Sequence, residues 1–191
     1  VKVLERSGAS ATHIEDHTFG KHLGVAQVIP VKQGVDKIKA ALDARTSEDF
    51  LIIGRSDAVA SEGEDATVDR LLAYQEAGAD ALFLARAVKA GDVLNQRLRA
   101  ESKVPILTTN GPGTGYSAFD LGEQGADIVL YPTVANLAAM AGMRQVFEAL
   151  ARDGSTVSVD AGLGTNVAYD SFLGADEYRA QARSLGLLPQ G

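Results

Sequence analysis

The chain has 191 residues, a formal charge of −7, 46% apolar and 6% aromatic residues, and no cysteine. That length suits one domain with a real core, and an acidic balance without a basic cluster argues against nucleic acid and anionic membranes as partners. Disulfides, Cys-ligated zinc and a thiol nucleophile are excluded, no apolar run reaches the ~18–20 residues of a membrane span, and the reading is of a cytoplasmic protein.

The chain opens Val1-Lys2-Val3-Leu4-Glu5-Arg6, without an initiator Met, on what reads as the tail of a helix. A short signature then recurs: Gly8-Ala9-Ser10, Gly78-Ala79-Asp80 and Gly125-Ala126-Asp127 each stand between helical sequence and an apolar run. Glycine suits the left-handed residue that ends a helix, and a small alanine lets the chain turn tightly into a strand. The runs are Ala11–Ile14, Ala81–Leu84 and Ile128–Tyr131; Phe50–Ile53 and Val104–Leu107 are two more without the signature. Consecutive apolar positions over four or five residues predict strands buried on both faces of a parallel sheet.

Helical patterns lie between these runs. Val35, Ile38, Ala41 and Leu42 share one face; Val68, Leu71 and Leu72 make a second helix, and Leu137, Met140, Ala141, Val146, Phe147 and Leu150 a longer one. The spacing is that of βα units. A closed barrel of this kind needs eight strands and typically ~250 residues. The expectation is therefore an α/β fold, a (β/α)8 barrel of the TIM type. Residues 1–151 supply about its last five βα units as a catalytic partial barrel, and the first three units lie upstream of Val1. Residues 152–191 form a C-terminal extension, irregular over 152–170 and helical from Ala175 to Leu185. That helix either covers its own barrel or is exchanged with another subunit.

In such barrels the reacting groups stand at the carboxyl ends of the strands. The first strand ends His13-Ile14-Glu15-Asp16, with Lys21 and His22 in the loop beyond; the second ends Gly54-Arg55-Ser56-Asp57; the fourth ends Thr108-Thr109-Asn110. Two carboxylates and an arginine on adjacent strands suit a divalent cation and a small dicarboxylate, because carboxylates hold hard Mg²⁺ and an Arg fork grips a carboxylate through two hydrogen bonds. The bland alternatives stay open. Glu15 and Asp16 are read equally as ordinary end-of-strand charges, Arg55 as a partner of Asp57 or Asp16, Lys21 and His22 as solvated, and His13 as packed.

These segments resemble the isocitrate lyase/phosphoenolpyruvate mutase superfamily. Ala9–Asp16 (ASATHIED) is similar to its "GAAGIHIED" strand, Asp49–Ala58 (DFLIIGRSDA) to "DF-IIARTDA", Ala73–Phe83 (AYQEAGADALF) to "AY-EAGAD-IF", and Val129–Pro132 (VLYP) to "V-YP". The resemblance implies a lyase that uses Mg²⁺, or Mn²⁺, on a small carboxylate substrate and works as a homo-oligomer, a dimer or tetramer. It further implies that Glu15 supports the metal through water, the principal aspartate ligand lying upstream, and that Arg55 binds the substrate carboxylate. Lys21 opens the active-site loop, His13 lies near the metal, and Thr109 or Asn110 matches a substrate-binding Asn. Two departures stand out. Leu23 occupies the place of the loop Cys that serves isocitrate-type lyases as general acid/base, and Ala85 that of a glutamate at the end of the third strand. Both, together with Gly34–Arg45, bring the chain nearest to the oxaloacetate decarboxylase-like branch. There the metal and the arginine hold a 2-oxo acid while an enolate forms. Phosphonopyruvate chemistry at the C–P bond, Cys-independent cleavage of a substituted malate or citrate with His22 carrying the proton, and a catalytically silent metabolite-binding barrel are the alternatives.

Overall fold

All five apolar runs form strands. The computed structural model describes residues 1–18, 20, 23, 27–85 and 93–189. Its elements are α1 (Lys2–Arg6), β1 (Ala11–Glu15), α2 (Val31–Ala44), β2 (Leu51–Ser56), α3 (Val59–Glu62), α4 (Glu64–Glu76), β3 (Ala81–Leu84), α5 (Leu94–Glu101), β4 (Ile106–Thr109), α6 (Ala118–Glu123), β5 (Ile128–Leu130), α7 (Val134–Asp153), α8 (Asn166–Phe172) and α9 (Ala175–Ser184). The strands pair in parallel and in sequence order. Five parallel strands in sequence order, with helices between them, have the layout of an arc of a (β/α) barrel.

The Gly-Ala signature is a helix stop built the same way each time. Gly8, Gly78 and Gly125 have φ of 84°, 103° and 99°. In each copy the alanine N–H reaches the carbonyl five residues back (Ala9 to Leu4, Ala79 to Tyr74, Ala126 to Leu121), while the glycine N–H reaches three back. This is the Schellman arrangement, and it satisfies the orphan carbonyls of the last helical turn. The aspartates that follow join the sheet. Asp80 Oδ2 accepts from the Ile52 N–H at 2.7 Å and from Arg45 at 2.7 Å. Asp127 repeats this with Ile106 at 2.7 Å and Arg99 at 2.9 Å.

Side chains alternate across the sheet, so the register sorts each strand into two sets. One row runs Glu15–Arg55–Phe83–Leu107–Ile128. On its face Ala81, Phe83, Ala85 and Leu107 are buried together, with Ile53 and Leu130 against them. The other face carries Ile52, Leu82, Leu84 and Ile106, packed with Ile38 of α2, Leu71 and Tyr74 of α4, and Leu94 and Leu98 of α5. Full burial of one such side chain contributes about 1.5–3 kcal/mol, so this helix-backed layer dominates the stability of the sheet.

The chain divides into two compact units, Val1–Val134 and Ala135–Gly191. The division falls earlier than the boundary at 151 expected from the sequence and assigns nearly all of α7 to the second unit. Within residues 152–170, expected to be irregular, the structure has a 3-10 turn at Asp160–Gly162 and the start of α8. Thr165 caps α8 by accepting the Ala168 N–H at 3.1 Å. Seven residues are too few to show a helical period in sequence. No described helix is long and apolar enough to cross a membrane.

Candidate active site

Glu15 and Arg55 are cross-strand partners at the carboxyl ends of β1 and β2. Arg55 Nη2 lies 2.7 Å from Glu15 Oε1. The other side of the guanidinium is held by Asp57, with Nε at 3.0 Å from Oδ2 and Nη2 at 3.2 Å from Oδ1. Its plane lies over Phe83 of β3, with Cζ 4.7 Å from the ring centroid, a cation–π contact that also shields one face from water. The Arg55 side chain is 17% exposed. These contacts use Nε and Nη2 and leave Nη1 without a hydrogen bond among the described residues. An arginine fixed by two carboxylates with one edge open is preorganised to take an anionic ligand.

His17, which the sequence reading passed over, belongs to this cluster. Its Nε2 lies 3.1 Å from Glu15 Oε2, so the two oxygens of Glu15 face two nitrogen donors. Lys37 of α2 donates to the Glu15 carbonyl. Residues 13, 15 and 17 share one parity, and that alternation is the signal by which His17 could have been found. His13 stands on the same face, edge-on to Phe83 with ring centroids 5.5 Å apart.

The second carboxylate of the pair is a correction. Asp16 does not stand at the mouth beside Glu15. It is 1% exposed and points to the helix-backed side, where Tyr74 donates to its Oδ2 at 2.9 Å and Arg70 Nε lies 3.6 Å away. Consecutive strand residues point to opposite faces, so adjacent carboxylates cannot both enter one cavity.

Thr109 ends β4 opposite Leu130, which packs against the apolar cluster of the inner face. Asn110 is 6% exposed, and its amide is engaged by its own loop and by Tyr131 just beyond β5. Nδ2 donates to the Tyr116 carbonyl at 2.8 Å and to the Tyr131 hydroxyl at 3.1 Å, while Oδ1 accepts from Gly111 and Thr114. Ala85 packs in the inner apolar cluster, and Leu23 is 87% exposed. Lys21 and His22 lie outside the described residues. No group of three or more His, Asp or Glu side chains among the described residues could hold a metal ion. With both Glu15 oxygens facing donors, these residues do not form a Mg²⁺ site by themselves.

A family model described as phosphoenolpyruvate phosphomutase matches residues 1–151. The chain is 37% identical to the 2-methylisocitrate lyase of Shewanella oneidensis over 180 residues, covering 91% of this chain and 61% of that protein. It is 34% identical to an oxaloacetate decarboxylase of Rhodopseudomonas palustris, covering 98% and 65%. Among solved structures it is similar to a phosphonopyruvate hydrolase in complex with oxalate and Mg²⁺, with a TM-score of 0.77, 32% identity, and 94% and 64% coverage. The chain thus spans about three fifths of the relatives it matches. Together, the parallel βα sheet, the paired Glu15 and Arg55 at its carboxyl edge and these similarities show that the chain belongs to the phosphoenolpyruvate phosphomutase family of the isocitrate lyase/phosphoenolpyruvate mutase superfamily.

Proposed function

We propose that the protein is a carbon–carbon lyase that acts on a small 2-oxo dicarboxylate and favours decarboxylation of an oxaloacetate-like substrate. The observation that carries this reading is Arg55, clamped by Glu15 and Asp57 over Phe83 with its Nη1 edge open. That edge takes a substrate carboxylate. As the C–C bond breaks, its electron pair passes to the enolate of a pyruvate-like product and carbon dioxide leaves. A fixed cation beside the growing oxyanion stabilises it more than mobile water does. Leu23 cannot exchange a proton, which fits a reaction whose bond-breaking step needs no acid or base from that position.

His13 and Thr109 are assigned to the substrate side, and Asn110 to shaping the loop beyond β4. Lys21 and His22 are assigned catalytic roles alongside Arg55. Mg²⁺ is the proposed cofactor. It would supply further positive charge, with ligands beyond the described residues and Glu15 supporting it through water. We assign the protein to a soluble homo-oligomer. The test is turnover of oxaloacetate by the full-length protein with Mg²⁺. Arg55→Ala is expected to lower kcat/KM about 10²–10³-fold, whereas an inactive wild type, or a variant of unchanged rate, ends the reading. A second reading, Cys-independent cleavage of a methylisocitrate-like acid, draws support from the 37% identity to a 2-methylisocitrate lyase. Release of pyruvate from 2-methylisocitrate but not from oxaloacetate would favour it. Phosphate release from phosphonopyruvate would instead favour C–P chemistry, and ligand binding without turnover of any of these a silent barrel.

A further inference from the structure

Behind the sheet, opposite the cluster around Arg55, lies a second polar group with almost no access to water. Asp16, Arg70 and Tyr74 are each 1% exposed. Asp16 Oδ2 accepts from the Tyr74 hydroxyl at 2.9 Å, and Oδ1 accepts from the Asp57 backbone N–H at 3.1 Å. The Asp16 carbonyl accepts from the Ile29 N–H at 2.8 Å. Arg70 closes the group: Nη1 donates to the Ile29 carbonyl at 2.7 Å, Nη2 to Glu62 at 2.6 Å, and Nε faces Asp16.

Each of these bonds ends on a segment that carries or flanks the candidate site. Asp16 follows Glu15 in the chain. Asp57 is the residue whose carboxylate orients Arg55. Ile29 lies on the returning limb of the β1–α2 connection, next to Val28, which bridges to His17; Thr18 N–H donates to the Gln27 carbonyl at 2.7 Å beside it. Asp16 therefore ties these pieces of the site's edge together, Asp57 through its carboxylate and Ile29 through its backbone carbonyl. Stability alone is a weak reason for such a group, since a buried ion pair is often replaced by apolar side chains without loss.

The fold makes two concessions to bring the phenol there. A Cβ on Gly34 of α2 would stand 2.3 Å from the Tyr74 hydroxyl oxygen, and one on Gly54 of β2 would stand 2.8 Å from Tyr74 Cβ. Glycine inside a helix or strand costs about 0.5–1 kcal/mol relative to alanine. Both glycines hold open the slot through which Tyr74 reaches Asp16. Burial and the Asp16 charge push the phenol well above its ordinary range, so it remains a proton donor.

We infer that Asp16, Tyr74 and Arg70 are positioning residues: from behind the sheet they set the Asp57 backbone, and through it the orientation of Arg55 and the root of the connection beyond Glu15. This rests on the proposed reading of the Arg55 site. The experiment uses full-length protein carrying Tyr74→Phe, which keeps the ring and removes the hydroxyl's bond to Asp16 and the longer one it accepts from Arg70 Nη1 at 3.4 Å, and Asp16→Asn as the second variant. Amide hydrogen exchange at Asp57 and Ile29 is measured beside oxaloacetate kinetics with Mg²⁺. The expected result for Tyr74→Phe is exchange at Asp57 faster by roughly 3–10-fold, the worth of one hydrogen bond. KM should rise by a similar factor, with a smaller fall in kcat and unchanged exchange at Leu82 in β3. A lowered melting temperature with wild-type kinetics in both variants would overturn the inference and leave only a stabilising role. Unchanged exchange at Asp57 in both would overturn it as well. If the wild type does not turn over oxaloacetate, the functional reading fails and the catalytic consequence falls with it. Slower turnover in Arg55→Ala but not in either variant refutes the positioning role alone.

Discussion

Glu15 and Asp16 are chain neighbours with the same charge, and Arg55 and Arg70 are both held by carboxylates, yet the two pairs lie on opposite faces of one sheet. On the inner face, Glu15 is 25% and Arg55 17% exposed, and Nη1 of the arginine has no hydrogen bond among the described residues. On the helix-backed face Asp16 and Arg70 are both 1% exposed, and two of the three Arg70 nitrogens already donate to protein acceptors. Burial opposes the Arg70 charge, but Glu62, Tyr74 and Asp16 outweigh it and raise its pKa. The difference teaches that an ion pair is available for ligands only where its geometry is incomplete. The inner pair is the one proposed to meet an anion; the outer pair is closed upon itself.

The comparison breaks most readily at Arg70. Arg70→Met leaves Asp16 as a buried carboxylate without its cation, and breaking such a pair typically costs about 3–5 kcal/mol. We expect a large fall in the urea midpoint of unfolding. Arg55→Ala, at the residue proposed above to act in turnover, should shift that midpoint much less. Equal shifts in the two variants would erase the distinction between the faces.

A smaller effect tests the slot for Tyr74. Gly34→Ala should destabilise by about 1–3 kcal/mol, the usual cost of overpacking, despite the better helix propensity of alanine. In the Tyr74→Phe background, where the nearest contact is removed, the same change should cost less. A double-mutant cycle on thermal unfolding reads the coupling, and additive effects would show that the hydroxyl does not occupy that space.

The smallest effect belongs to a carboxylate on neither face. Asp120 caps α6 by accepting from the backbone N–H and hydroxyl of Ser117 at 2.6 and 2.7 Å, and these bonds, the backbone one first, lower its pKa. A depressed carboxylate contributes stability that is complete above its unfolded value and is lost as pH falls through its folded value. The gap in melting temperature between wild type and Asp120→Asn should therefore be small at neutral pH and close in strong acid. A gap that persists there would show that charge does not underlie the cap.

Much of this molecule could be read before any coordinate was known. The five strands follow from short apolar runs, because a strand buried on both faces can admit little else. The helix stops follow from Gly-Ala, because few residues tolerate positive φ. The short helices α3, α5 and α8 escaped, since four to eight residues carry too little periodicity. At the site, Glu15 and Arg55 were legible as residues near the ends of strands, and the resemblance of the surrounding segments supplied the separate roles proposed for them.

What the sequence by itself determined is thus local: where the chain must extend, where it must turn, and which charged residues come near the ends of strands. Only the tertiary structure decided which way each of them points. It sent Asp16 behind the sheet to Tyr74, 58 positions along the chain, drew His17 to Glu15, and engaged Asn110 with its own loop and Tyr131. Those outcomes depend on pairing register and on contacts between distant segments. A shift of one residue in register would exchange the two faces, and no single stretch of sequence contains that information.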